Sequence, residues 1–411
     1  MLQAAFRKYR AAYAGLPRAA WTLSFILFIN TSGTMVVFFL TLTLTRHLGF
    51  SVLRAGQVLS GYGFGMLLGN LLGGWASDRL GPRATQKLSL AMSGILLIAL
   101  GFFSSFPVVL ALMSLYGVSA AALFPANASA LADICAPEIR SRGFVLSRLA
   151  NNLGATIGPV VGGFLAGRHY RMIFWIDGIT CLLAALAFFV LLPGPAKARM
   201  EGAPSPAPLR PSRFGWMKDG RLLAIVGLSI GLSTVFIQMF GVFPLYMKAV
   251  YGLAERMIGP LFAVNTVLIV LTQMPLTHAV ERIRRGRTAA AGMAFLGLGL
   301  GMLPFGRTMA FAAVALAVAT LGEMLLMPTL VTLISLRAPE GGQGQYQGLF
   351  GLAWGIGSIV GPSLGTRIYD TAGGTAVWLS AAGLSALLAL GFLAFDRGDR
   401  ERASLPAAPA S

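Results

Sequence analysis

Gly154-Ala155-Thr156-Ile157-Gly158-Pro159-Val160-Val161-Gly162-Gly163 is answered, at a separation of 203 residues, by Gly357-Ser358-Ile359-Val360-Gly361-Pro362-Ser363-Leu364-Gly365. Gly154, Gly158, Pro159 and Gly162 fall in register with Gly357, Gly361, Pro362 and Gly365. One shared glycine would decide nothing in a chain with 51 of them. The same separation also relates Asp78-Arg79 to Glu281-Arg282, Pro125 to Pro328 and Leu149-Ala150 to Leu352-Ala353. An acid–Arg pair and two prolines held in one register are hard to obtain by chance, so the halves are repeats. Between them, residues 194–218 break the apolar pattern with Pro195, Pro204, Pro206, Pro208 and Pro211, and with five Lys or Arg against the single acid Glu201. That is the composition of a solvated linker.

Of the 411 residues, 56% are apolar and 11% charged, too few polar groups to cover a water-soluble surface. Stretches long enough to cross a hydrocarbon core, which takes roughly 20 helical residues, recur along the chain. They run over residues 18–46, 55–78, 85–105, 107–133, 143–167, 171–193, 220–248, 255–280, 288–306, 309–336, 345–370 and 374–395, and are called helices 1 to 12 below. A β-barrel would show alternating segments of about ten residues, which are absent. The expectation is an all-α membrane protein of twelve transmembrane helices in two six-helix pseudo-symmetric bundles. Residues 1–193 form the first bundle, 194–218 a cytoplasmic linker, 219–396 the second bundle and 397–411 a cytoplasmic tail. Arg7, Lys8, Arg10 and Arg18 precede helix 1 as in a signal peptide, but the span is too long for one and reads as retained.

The net charge of +18 would suit nucleic acid if it were gathered on one domain. It is spread over short loops instead, and 24 of the 32 Lys and Arg fall on the side shared by both termini. Positive residues resist translocation, so both termini are expected in the cytoplasm. Cys135 and Cys181 support neither a disulfide nor a metal site. Arg outnumbers Lys 27 to 5, a bias pointing to a bacterium with GC-rich DNA and so to the cell (inner) membrane. Parallel repeats related by an axis along the membrane normal place a substrate site near the midplane and give alternating access by rocking. The architecture alone points to transport.

Between helices 2 and 3 the chain reads Gly74-Trp75-Ala76-Ser77-Asp78-Arg79-Leu80-Gly81-Pro82-Arg83. This resembles the loop 2–3 signature of the major facilitator superfamily, and the helix 5 run quoted above resembles the motif of that superfamily's antiporters, drug exporters among them. Gly74 allows close helix contact, Gly81 a tight turn, and Asp78 offers a carboxylate at a cytoplasmic gate completed by Arg79, Arg83 and Arg142. Pro82 stands where the pattern has a basic residue, which puts in doubt a charge relay to Asp133 at the end of helix 4. Small residues at four-residue spacing let helix 5 approach a neighbour closely in lipid, and Pro159 removes a backbone bond and permits a bend; generic packing is the alternative. The exporters' helix 4 arginine is absent, with Met113 in its place, so its proton-handling role does not carry over. Arg148 remains as a base in helix 5, meeting a substrate anion or Asp133, or snorkelling to the interface.

Ionisable groups inside spans are costly and default to functional hypotheses. Glu323, mid-way along helix 10, is the first choice for a protonatable coupling group, because the resemblance implies that helices 1, 4, 7 and 10 line the central cavity. Asp133 and Asp177 are the further carboxylates; Asp177, on a helix that the resemblance places at the periphery, is expected to pair with Arg168 or Arg171. Polar and aromatic candidates for substrate contact are Asn30, Thr34 and Phe38 on helix 1, Tyr116 on helix 4, Asn152 on helix 5, Gln238 and Phe240 on helix 7, Asn265 on helix 8 and Trp354 on helix 11. Gly61-Tyr62-Gly63-Phe64-Gly65 lies inside an apolar span with neither strand nor phosphate-loop lysine. His47, His169 and His278 sit at span ends and make no nucleophile–base set. No enzymatic activity, cofactor or metal is expected. The resemblance implies a monomeric, proton-coupled efflux antiporter of a small amphipathic or lipophilic compound. Alternatives are a proton symporter importing a metabolite and a non-transporting scaffold or sensor.

Overall fold

A computed structural model of the chain describes residues 15–136, 139–167, 169–192, 217, 219–280, 283–339 and 343–403. The expected linker thus lies almost wholly outside the described residues, as do Arg168, Glu281-Arg282 and the last eight residues of the tail.

The described residues are helical throughout, with no strand among them. Helix 2 covers Val52–Leu80, helix 3 Pro82–Leu100, helix 4 Phe106–Ile134, helix 5 Arg140–Ala166 and helix 6 Tyr170–Leu191. Helix 8 covers Glu255–Val280, helix 9 Arg285–Met302 and helix 10 Met309–Ser335. Gln343–Ala403 is one helical run with a kink at Gly373 (φ +83°), where helix 11 gives way to helix 12. Nine stretches among the described residues are long and apolar enough to cross a membrane. One of them, Tyr346–Asp396, holds both helices 11 and 12, and helices 2 and 3 fall outside the nine. With these counted, the elements fit the twelve expected.

Helix 1 is interrupted: Arg18–Gly33 ends at an extended Thr34 (ψ 92°), and a second segment starts at Val36 and runs to Arg46. Helix 7 runs as Gly220–Phe236, Gln238–Gly241 and Phe243–Ala249, a milder interruption in which Ile237 and Val242 keep helical dihedrals and the Ile237, Gly241 and Val242 amides still bond the carbonyls four residues back. No proline lies between residues 33 and 36, whereas in helix 7 Pro244 cannot donate to the Phe240 carbonyl and so loosens the step at Val242. Three other helix starts follow ordinary capping rules. Ser51 Oγ accepts from the Arg54 amide at 3.2 Å, Thr308 Oγ1 from that of Phe311 at 3.2 Å, and Pro82 opens helix 3 after Gly81 (φ +84°).

By compactness the chain divides into two units, residues 1–203 with 243–266, and residues 204–242 with 267–411. The second half of helix 7 and the first turns of helix 8 therefore belong with the first six helices. In the first unit, helix 2 packs on helix 4 through Gly65, Gly69 and Gly73, where a methyl group would strike the backbone of Ser114, Val118 and Ala122. Helix 1 packs on helices 5 and 6, and helix 3 on helices 4 and 6. Its apolar core includes Leu23, Ile26, Leu131, Ala184 and Phe188, all nearly inaccessible.

In the second unit, Asp219 serves two helices at once. Its Oδ1 accepts from the amides of Arg221 and Leu222, both at 3.1 Å, capping helix 7. Its two oxygens also receive Arg337, beyond the end of helix 10, at 3.0 and 2.9 Å. Burial raises the Asp219 carboxyl, but the hydrogen bonds and charge of Arg337 with the two amides outweigh it and hold the group below its ordinary value. A depressed carboxyl stabilises the fold above its unfolded pKa, and that stabilisation disappears as pH falls through the folded value. Asp219→Ala is expected to cost about 1–2 kcal/mol at neutral pH, read as a lower melting temperature. The deficit relative to wild type should shrink on acidification; a deficit that grows instead would rule out the ionised cap.

Candidate functional site

The glycine stripe of helix 5 and the break in helix 1 form one structure. A methyl at Gly154 would strike the Thr31 side chain, at Gly158 the Thr34 carbonyl, and at Gly162 the Cβ of Met35 at 2.7 Å. The stripe therefore lies along the interrupted turn, and Gly158 faces the carbonyl at the interruption. Helix 11 repeats this on helix 7. A methyl at Gly357 would strike Ser233 Oγ, at Gly361 the Ile237 side chain and the Thr234 carbonyl (3.1 Å), and at Gly365 the Gln238 amide. Small residues permit close approach in lipid, and both repeats spend them beside a broken helix.

Asp177 closes the break in helix 1. The Met35 and Val36 amides lack a preceding turn to accept their protons, and Asp177 Oδ2 accepts both at 3.2 Å. The expected pairing of Asp177 with Arg171 is corrected here: Asp177 is 0% exposed inside the bundle, while Arg171 lies over the Tyr170 ring and donates to its hydroxyl. Six helical residues turn the chain by about 240°, which takes Arg171 to another face.

Further polar groups surround this point in the first unit. Cys181 Sγ donates to Asn30 Oδ1 at 3.3 Å, and Thr34 Oγ1 to the Asn30 carbonyl at 3.4 Å. Tyr116 stacks on Tyr62 with centroids 5.5 Å apart. Towards the other end, Gln86 donates to Asn127 Oδ1 at 3.3 Å and Asn127 to Ser147 Oγ at 3.0 Å. Leu23, Asn30, Gln86, Leu90 and Asn127 are among the residues lining a cavity of about 10 Å³. Phe38 meets Phe262 edge-on at 4.9 Å, and a methyl on Gly163 would approach the Glu255 carbonyl at 2.7 Å.

In the second unit, Gln238 donates to the Thr234 carbonyl at 2.9 Å and to that of Gly361 at 2.8 Å. With Thr234, Gly365, Val377 and Ser380 it borders an apolar cavity of about 200 Å³. Trp354 meets Phe236 edge-on at 5.4 Å, and Phe240 lies 5.9 Å from Phe236. Glu323 is half-buried near the middle of helix 10, and Asn265 in helix 8 is half-buried in the first unit.

Around loop 2–3, Asp78 is exposed, Arg79 lies over the Trp75 ring at 5.2 Å, Gly74 and Arg83 are half-buried and Arg142 is exposed. Asp133 and Arg148 are both exposed and no ion pair joins the two among the described residues, which leaves for Arg148 the interface-reaching alternative or a substrate anion. Asn152 is half-buried.

A family model described as Major Facilitator Superfamily matches residues 21–362 and 226–410. The chain belongs to that superfamily. It is a transporter of the superfamily and an integral membrane protein. The superfamily protein YttB of Bacillus subtilis, described as an uncharacterized MFS-type transporter, is 27% identical over 371 residues, covering 89% of this chain and 92% of that one. Multidrug resistance protein MdtH of Aeromonas salmonicida is 24% identical over 309 residues, or 74% and 75% of the two chains. The crystal structure of the nucleoside transporter NupG superposes with a TM-score of 0.77 at 14% identity, covering 92% of this superfamily member and 99% of that chain. At such identity the likeness speaks for the fold.

Tyr62, Gln86, Asn127 and Cys181 are interior polar groups that do not figure among the binding candidates drawn from the sequence. Their signal was present: Gln86 and Asn127 are amides in otherwise apolar spans, where an unpaired polar group is expensive.

Proposed function

We propose that the protein is a proton-coupled efflux antiporter of a small amphipathic or lipophilic compound, working by alternating access. It acts as a monomer in the cell (inner) membrane with both termini in the cytoplasm. The observation that carries the coupling is Glu323, a half-buried carboxyl near the middle of a 27-residue apolar helix. A carboxyl at that depth has to face a wet cavity and titrate, or be held neutral by neighbours. Asp133 and Asp177 are the further carboxylates of the proton path. Gly74, Asp78, Arg79, Gly81, Arg83 and Arg142 form the cytoplasmic gate. Substrate contact falls to Asn30, Thr34, Phe38, Tyr116, Arg148, Asn152, Gln238, Phe240, Asn265 and Trp354. MdtH, named a multidrug resistance protein, supports the outward direction, and the Gly154, Gly158, Pro159, Gly162 and Gly163 run supports antiport.

The test is direction. Purified protein in liposomes preloaded with each of a panel of fluorescent amphipathic dyes receives an inward proton gradient. An antiporter empties the vesicles of its substrate. Concentration of the dye inside would establish symport instead, and absence of flux for the whole panel with a proton gradient that persists would remove this substrate class.

A further inference from the structure

Asp177 binds the break in helix 1 with one oxygen only. Oδ2 accepts from the Met35 and Val36 amides, while Oδ1 is buried without a hydrogen-bond partner among the described residues. The ionised form suits the two amides, since charge-assisted bonds to a helix start are stronger than neutral ones. The same form leaves a bare, charged oxygen out of water, which is costly. Protonation at Oδ1 removes that charge and weakens both bonds at Oδ2. Two opposed costs meet at one carboxyl, and the integrity of the break depends on which prevails.

The surroundings leave this balance to the proton. Tyr62 of helix 2, Tyr116 of helix 4 and Cys181 of helix 6 itself are the titratable groups within electrostatic reach. Helix 1 contributes Asn30, Met35 and Val36, helix 5 contributes Gly158, and helix 3 packs Gly94 and Ile98 on the neighbouring Gly178. No Lys, Arg or His among the described residues faces Asp177 from these elements.

The internal repeat supplies the contrast. At the separation of 203 residues, Ser380 stands for Asp177, and Gln238 and Met239 stand for Met35 and Val36. Ser380 donates to the carbonyl of Val377 in its own helix at 2.9 Å, and the Gln238 side chain donates to the Thr234 carbonyl of helix 7 and the Gly361 carbonyl of helix 11. Helix 7 keeps helical dihedrals at Ile237 and Val242, and its Gly241 and Val242 amides bond backbone carbonyls, whereas helix 1 is extended at Thr34 and gives its freed amides to a side chain that titrates.

We propose that Asp177 is a positioning residue that makes the break in helix 1 a proton-sensitive hinge, pinned when Asp177 is ionised and released when it is protonated. The segment set free, Val36–Arg46, packs against Phe243–Ala249 and carries Phe38 onto Phe262. Release therefore reaches residues 243–266 within the same unit. The hinge itself needs only the geometry; its use in transport rests on the proton-coupled reading above.

Hydrogen exchange of the purified full chain, followed by mass spectrometry over about pH 9 to pH 5 and corrected for intrinsic rates, tests it. Peptides spanning Thr34–Phe39 in the wild type are expected to lose about tenfold in protection as pH falls. Peptides spanning Gln238–Val242 should not change. Asp177→Asn keeps an acceptor for both amides and should flatten the profile. Wild-type protection at Thr34–Phe39 that is flat in pH, or an Asn variant that titrates like the wild type, would overturn the hinge. Should Asn prevent folding, the wild-type contrast between the two breaks decides alone. A titrating hinge in a protein without proton-driven flux would sink the transport reading and keep the hinge; a flat hinge in a protein that pumps would sink the hinge alone.

Discussion

Glu323→Gln is expected to reduce gradient-driven efflux to the level of protein-free vesicles while counterflow of the same compound persists. Glutamine keeps the size of the protonated carboxyl and its capacity to donate, so helix 10 retains its packing and any contact made by the neutral form. What it removes is the ability to lose a proton. A substitution that fixes the neutral state should leave binding by that state close to unchanged. Counterflow needs alternating access but no net proton movement, whereas uphill efflux needs both. Retained counterflow with lost uphill transport places coupling at Glu323. Unchanged uphill transport would end that role and move attention to Asp133 and Asp177, and loss of both activities with normal expression would make Glu323 a packing or binding group.

The helices were legible in the sequence because lipid demands continuous apolar stretches of a fixed length, and few soluble alternatives satisfy that demand. The repeat was legible for a related reason: Gly158 lies against the Thr34 carbonyl and Gly361 against the Ile237 side chain and Thr234 carbonyl, so both sit where glycine gives the close approach. The breaks themselves were not. No proline marks Thr34–Met35, the Ser32-Gly33 pair before it is one small pair among many in a glycine-rich chain, and the group that closes the break lies 142 residues from Met35 along the chain. For Asp177, the nearness of Arg171 in sequence suggests an ion pair away from the bundle interior. Helical phase argues otherwise, since Ile173, Phe174, Asp177, Cys181, Ala184 and Phe188 share one buried face. For Arg148 the sequence leaves burial and an interface-reaching side chain both open, because a long basic side chain in the first turns of a span can do either, and in the fold it is exposed. The partition of residues 243–266 with the first unit was also beyond reach, because a cut at the linker is the simplest reading of a tandem repeat.

Gly158→Ala is expected to destabilise the protein and abolish transport, although alanine is the better helix former. On propensity alone, replacing glycine by alanine inside a helix gains about 1 kcal/mol. At Gly158 the new methyl would overlap the Thr34 carbonyl, a backbone atom that no rotamer change can move aside. Relief requires helices 1 and 5 to separate, and overpacking of this kind costs about 1–3 kcal/mol. The displaced atom belongs to the interrupted turn, so the lost contact falls where helix 1 is least able to keep its shape. Gly227 and Gly383 are also inside helices, with no atom within 4 Å of the point a methyl group would occupy, so alanine there should raise the apparent melting temperature and leave flux intact. The comparison separates geometry from propensity within one chain. If Gly158→Ala stabilises as much as Gly227→Ala and still transports, helix 5 does not approach helix 1 at the break, and the role assigned to its glycine stripe falls.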